Sequence, residues 1–282
     1  MNTLQGRGMA DFLPLLFLKN ALLAGLLVSI ACGVVGTLVV VNRMSFIAGG
    51  IAHAAYGGLG IAVFLGLPPT AGTLPFSIIS SLVIGYANGR NRERADAVTG
   101  AIWAAGMALG ILLIDLTPGY HADLMSYLFG SIMAISFSDL VLMAVLDLVI
   151  IGMVRLSYNE LLAVSYDEEF AATGGIPVIP IRYLLLVLIA CTVVLLIQTV
   201  GLILVLALFT IPASIAGLFS HSLKQMMLIA VVAGTCITIT GVVVSFFFDL
   251  TAGATIVMVA CLIFGFFYLV KRISRKPVSP GH

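Results

Sequence analysis

Nine apolar runs follow one another along the chain, at 21–41, 47–66, 75–87, 98–116, 140–154, 183–197, 201–219, 226–248 and 254–270. A hydrocarbon core of about 30 Å takes about 20 apolar residues as a helix. Such a succession has no room for a water-soluble domain: the longest polar stretch, 157–182, is a connector. Only 9% of the 282 residues are charged and 61% are hydrophobic, against about 25% charged in soluble domains. Backbone groups inside a bilayer have to be satisfied within the segment, and runs of this length do so as helices, not as a barrel. The expected fold is an all-α polytopic transmembrane bundle of eight to nine spans, forming one membrane domain over 1–282. The apolar stretch at 124–135 is too short to cross, so 124–136 reads as a re-entrant or interfacial helix. Residues 11–19 read as a short amphipathic lead-in, with Asp11, Pro14 and Lys19 arguing against a cleavable signal peptide.

Orientation follows from the basic residues. With nine spans and the N-terminus outside, eleven of the thirteen Lys and Arg fall on the cytoplasmic side: Arg43, Arg90, Arg92, Arg94, Arg155, Arg182, Lys224, Lys271, Arg272, Arg275 and Lys276. The expectation is N-out and C-in. A net charge of +1 argues against a nucleic-acid partner. The four cysteines lie in apolar runs without metal-ligand spacing and read as small core residues.

Several chemistries are absent from the sequence. None of the four lysines follows a glycine, so there is no phosphate-binding P-loop, and HExxH and GxSxG are missing too. No cofactor is expected on this chain, and it is not expected to be an enzyme.

The connector at about 157–182 carries four of the twelve acidic residues. Ser165 and Glu168 have capping-box spacing, and Asp167, Glu168 and Glu169 would complement the dipole of a first turn. Gly174 or Gly175 is a natural C-cap and Pro177 stops continuation. The pattern predicts a separate helix of about two turns with Phe170 and Ala171 as its apolar contact. It is either a solvated connector or a surface on which another protein docks.

Few polar residues lie at bilayer depth, where they are costly and commonly functional. His53 is ten residues past Arg43, or ~15 Å deep. It shares a helix face with Gly49, Gly57 and Gly60, so it either hydrogen-bonds across a helix interface or serves as a ligand on a path for a transition metal. Asp147 falls mid-span, as an interhelical hydrogen-bonding group or a second pathway group. Asp115, His121, Asp123 and Asp139 gather near the outer end, as an acidic mouth or as helix caps. Thr210, Pro212 and Ser214 predict a break or kink in the seventh run.

Five stretches, in order, resemble the permease subunits of bacterial zinc/manganese/iron ATP-binding-cassette importers: RMSFIAGGIAHA at 43–54, LMSYLFGSIMAIS at 124–136, SYDEEFAATG at 165–174, VGLILVLALFTIPA at 200–213 and DLTAGATIV at 249–257. The resemblance runs from about residue 15 to 270. It implies a permease dimer, two separate ATPase subunits, a metal-binding delivery protein outside, and alternating access for a divalent metal that is substrate, not cofactor. It also implies that Asp167, Glu168, Glu169, Phe170 and Gly174 belong to an ATPase-coupling helix. The family's acid four residues before the histidine is Gly49 here. Loss of that hard oxygen, with His53 retained, tilts the expectation slightly towards zinc over manganese or iron. The competing class, an ion-coupled secondary transporter or channel without an ATPase, would carry paired intramembrane acids and matching half-helices, and neither is evident.

Overall fold

The computed structural model describes residues 3–90, 92–118, 130 and 135–274, with side chains described from residue 18 onward except 89–95, 198–200, 203–204 and 274. The helices are α1 (Thr3–Val41), α2 (Ser45–Phe64), α3 (Pro69–Arg90), α4 (Arg92–Asp115), α5 (Phe137–Leu156), α6 (Tyr158–Tyr166), α7 (Glu168–Thr173), α8 (Val178–Val200), α9 (Leu202–Phe219), α10 (Leu223–Phe248) and α11 (Ala252–Ser274). The protein is an all-α polytopic bundle. Eight of its helices are long and apolar enough to cross a membrane, and α9 is a shorter apolar helix.

The helices outrun the apolar runs that announce them. The run at 75–87 sits within α3, which begins at Pro69 and carries Pro75 in its second turn. Position 69 costs α3 nothing, because the first turn has no intrahelical acceptor for its N–H groups. The expected lead-in at 11–19 is part of one continuous α1. The expected break at Pro212 is absent: α9 is helical from Leu202 to Phe219 with Pro212 inside it. The interruption lies at Gly201, whose φ of 77° suits a residue without a Cβ. The stretch at 124–136 falls almost wholly outside the described residues, as do His121 and Asp123.

α1 is the hub. It packs on α10, α9, α5 and α8, while α2 packs mainly on α4 and α3, and α8 bridges the two groups. Ser29 on α1 and Thr238 on α10 share a hydrogen bond of 3.2 Å, each hydroxyl also within reach of its own preceding turn. Helices approach closely where glycines face each other. A Cβ on Gly60 would stand 2.6 Å from the Gly110 Cα, so α2 and α4 touch backbone to backbone. Of the four cysteines only Cys32 is fully buried; Cys236 and Cys261 are exposed on the outer surface, contrary to the expectation of core positions. A lipid-facing position needs no polar disguise, so burial within the protein cannot be read from apolarity alone.

The ends of the helices sort onto two faces. A cleft of about 610 Å³ brings together Asn42 and Arg43 after α1, Asn88 and Asp96 at the α3–α4 junction, residues 164–169, and Arg182 at the start of α8. A second recess joins Val41, Ser165 and Tyr166 to the α9–α10 turn at Ser220, His221 and Ser222. Lys271, in the last turn of α11, donates to the Leu218 carbonyl near the end of α9. The C-terminal ends of α1, α9 and α11 therefore share a face with the connector.

Candidate functional site: a lone imidazole and a capped connector helix

The connector is built differently from the sequence expectation. Ser165 is no cap: it lies inside α6, where its hydroxyl accepts from Asn42 Nδ2 at 2.9 Å. The cap of α7 is Asp167, whose Oδ1 accepts from the Glu169 and Phe170 backbone N–H groups at 2.9 and 3.0 Å. The reason is the extended backbone at Asp167, φ −156° and ψ 106°, which ends the unexpected helix α6 at Tyr166 and starts α7 two residues later than the expected helix, leaving it one and a half turns. Glu168, freed from the capping box, pairs with Arg182 Nη2 at 2.6 Å and ties α7 to α8. Gly174 is the C-cap, and Gly175 turns the chain with φ 83°.

Two apolar residues of α7 part company. Ala171 is buried and anchors the helix, but Phe170 is 74% exposed. A phenylalanine presented to solvent on a helix held by a cap and an ion pair is a built protrusion. The connector is also tied to α10: Lys224 Nζ sits 4.7 Å from the centre of the Tyr158 ring. Burial pushes the Tyr158 phenol above its ordinary range, only partly offset by Lys224, so it stays neutral beneath the ammonium at neutral pH.

Within the bundle, His53 of α2 is half-buried and lies flat on Trp103 of α4, with ring centres 4.2 Å apart and planes 6° apart. Its Nδ1 is buried and has no hydrogen-bond partner among the described residues. Trp103 is held in turn: its Nε1 points at Met107 Sδ at 3.2 Å, and Phe46 leans on it at 6.2 Å. Metal-binding histidines are usually oriented by a hydrogen bond to the second ring nitrogen; here a stack does that work. Trp103 escaped the sequence reading. Its one visible signal was being the single tryptophan of the chain, and the pairing of α2 with α4 is needed to give it meaning.

Gly49, four residues before His53, faces α9. A Cβ there would come 3.2 Å from both methyls of Leu206. Leu206 thus occupies the space into which an acid at this position would extend.

Asp147 lies on α5 at 3% exposure, and neither carboxylate oxygen has a partner among the described residues. α5 packs on α1 and α8, and α2 packs on α4, α3 and α8, so the helices that carry His53 and Asp147 share α8 as a neighbour. Among the described residues no three His, Cys, Asp or Glu side chains gather as a metal site. Of the outer acids, Asp139 completes a capping box with the N-cap Ser136: its backbone N–H donates to Ser136 Oγ, and its carboxylate accepts from the Ser136 backbone at 3.1 Å and hydroxyl at 2.5 Å. Asp115 is the exposed last residue of α4.

Residues 15–271 match the ABC 3 transport family. An uncharacterised membrane protein of Synechocystis is 45% identical over 260 residues, 92% of this chain and 91% of that protein. The manganese transport system membrane protein MntC of Halalkalibacterium halodurans is 35% identical over 258 residues, covering 91% of this chain and 88% of its own length. Among solved structures, a chain of PsaBC from Streptococcus pneumoniae, in complex with Fab, superposes with a TM-score of 0.81 at 31% identity, over 89% of this chain and 91% of that one.

Proposed function

Because the chain belongs to the ABC 3 transport family, we propose that it is the membrane permease of an importer that moves a divalent transition metal into the cytoplasm, with zinc favoured over manganese. Permeases of this family do not hydrolyse ATP themselves; a separate ATPase subunit does. The observation that carries the reading is the α6–α7 connector. Asp167 caps it, Glu168–Arg182 and Asn42–Ser165 lash it to the spans, and Phe170 is left exposed for a partner. A rigid helix with an exposed aromatic is what an ATPase cleft needs in order to push on the bundle. Asp167, Glu169, Phe170 and Gly174 shape that contact, and Glu168 holds its footing.

The N-out, C-in orientation is supported by the shared face of Arg43, Arg182 and the connector, with Lys271 beside the end of α9. α8 starts on that face and α9 ends on it, so α9 acts as a ninth, short span. Asp115 then lies on the outer side, where with His121 and Asp123 it would meet a cation handed over by a delivery protein.

His53 is the pathway ligand of this reading. A lone stacked imidazole offers a borderline nitrogen and no hard oxygen, and this favours zinc among the divalent metals. One imidazole cannot complete a coordination sphere, so a second permease copy would bring its own. Asp147, a buried carboxyl without a donor, is the remaining place for a cation to rest. Metal accumulation measured by elemental mass spectrometry in cells tests the whole reading. Deleting the chain lowers one metal, zinc, and His53→Ala and Glu169→Arg reproduce the loss at normal membrane expression. No change in any divalent metal on deletion overturns it.

A further inference from the structure

The outward surface between α9, α10 and α11 folds into a groove of about 720 Å³. Ile215 and Phe219 from α9, Val232 and Cys236 from α10, and Leu262 and Phe266 from α11 are among its walls. All are apolar. Ala233 and Cys236 keep the α10 wall low, while Phe219 and Phe267 meet edge to face at 5.5 Å and build one end high.

Leu262 precedes Lys271 by nine residues, so the groove wall at Leu262 and the cation at Lys271 stand ~14 Å apart along α11. That is about half of a ~30 Å hydrocarbon core, the depth of one leaflet. Two cations mark the interfacial end. Lys271 Nζ sits 5.7 Å from the centre of the Phe219 ring and donates to the Leu218 carbonyl, and Arg272 beside it is exposed. Among the described residues neither forms an ion pair.

We propose that this groove is a binding site for an anionic phospholipid: one acyl chain lies between α9, α10 and α11, and the headgroup phosphate sits against Lys271 and Arg272. The match is one of both shape and charge. A slot one leaflet deep, apolar along its length and doubly basic at its mouth, complements an amphiphile with a negative head. An apolar transmembrane helix of a partner would fill the slot and bring no negative charge to Arg272 or to Lys271, whose described partners are a carbonyl and a ring face. The leaflet is the cytoplasmic one if the orientation proposed above holds; the site does not depend on that. Occupancy would bear on transport through α9, whose Leu206 packs on Gly49 one turn from His53.

The test is native mass spectrometry of the purified permease–ATPase complex, titrated with phosphatidylglycerol or with phosphatidylcholine of the same acyl chains. The wild type is expected to retain phosphatidylglycerol in preference to phosphatidylcholine. Removing both charges, Lys271→Gln with Arg272→Gln, weakens phosphatidylglycerol roughly thirty-fold, at roughly five-fold per basic residue near the headgroups. Arg272→Gln alone, at an exposed position, gives the five-fold effect even if the double variant folds poorly. Ala233→Phe fills the slot and expels the lipid with both charges in place. Equal retention of the two lipids identifies ordinary surface lipid and overturns the proposal. So does a change in the number of permease copies on Ala233→Phe with lipid retention unaltered, which identifies a protein partner.

Discussion

His53 lies flat against Trp103, with ring centres 4.2 Å apart and planes 6° apart, and its buried Nδ1 makes no hydrogen bond to any described residue. The indole therefore orients the imidazole. Because Trp103 is the chain's single tryptophan, it also reports on it. Zinc titrated into the purified complex is expected to change the Trp103 emission, obtained as the difference between wild type and Trp103→Phe. His53→Ala abolishes that change. An unaltered response in His53→Ala would show that metal does not reach this imidazole.

Orientation by stacking predicts a graded mutational series. Trp103→Phe keeps a ring face and most of the uptake, while Trp103→Ala releases His53 and raises the metal concentration needed for half-maximal uptake about ten-fold, the size of the loss when the group that orients a metal ligand is removed. Uptake by Trp103→Ala equal to wild type at every metal concentration argues that the stack is packing alone.

Leu206 shapes what position 49 can be. Gly49→Asp by itself crowds the Leu206 methyls, 3.2 Å from where its Cβ would stand, and is expected to lower the melting temperature. Gly49→Asp with Leu206→Ala makes room for the carboxylate one turn from His53. That pair adds a hard oxygen and is expected to shift accumulation from zinc towards manganese. A double variant with unchanged metal preference would show that selectivity is set elsewhere.

Asp147 is a buried carboxyl with no partner among the described residues. Such a group costs stability, so Asp147→Leu is expected to melt at a higher temperature than the wild type while losing most transport. Loss of stability instead would reveal a structural partner, and full transport would remove Asp147 from the pathway.

The connector gives a further expectation. Asp167→Ala removes two hydrogen bonds at the start of α7, worth about 1 kcal/mol of local stability. Phe170→Ala removes the protruding ring and leaves the fold intact. Both variants are expected to keep membrane expression and to uncouple ATP hydrolysis from uptake, read by ATPase activity and metal accumulation on the same vesicles. Wild-type coupling in Phe170→Ala would mean that the exposed ring touches no partner.

The bundle was legible because lipid imposes a one-dimensional rule: each crossing needs an apolar run of sufficient length, and any run that satisfies it can be counted. The connector was half legible. Its acids and terminal glycines marked a short helix, but Ser165 and Asp167 are both good caps, and the choice went to Asp167 when Asn42 engaged Ser165 from another helix. Pro212 misled in the opposite direction. Proline removes one N–H and crowds the carbonyl four residues back, which bends a helix without having to end it, and α9, packed against α1 and α10, is continuous through Pro212.

The sequence by itself determined the number and order of the apolar spans, the placing of basic residues at their ends, and which rare polar groups lie at depth. These follow from local composition and the 1.5 Å rise of a helix. Tertiary structure alone decided that Trp103 stacks on His53, that Leu206 fills the space beside Gly49, and that Asp147 is buried without a hydrogen-bond partner among the described residues. In a membrane-spanning chain every face is apolar, so no periodicity announces which helices touch, and neighbours are chosen by the close fit of small residues across the interface.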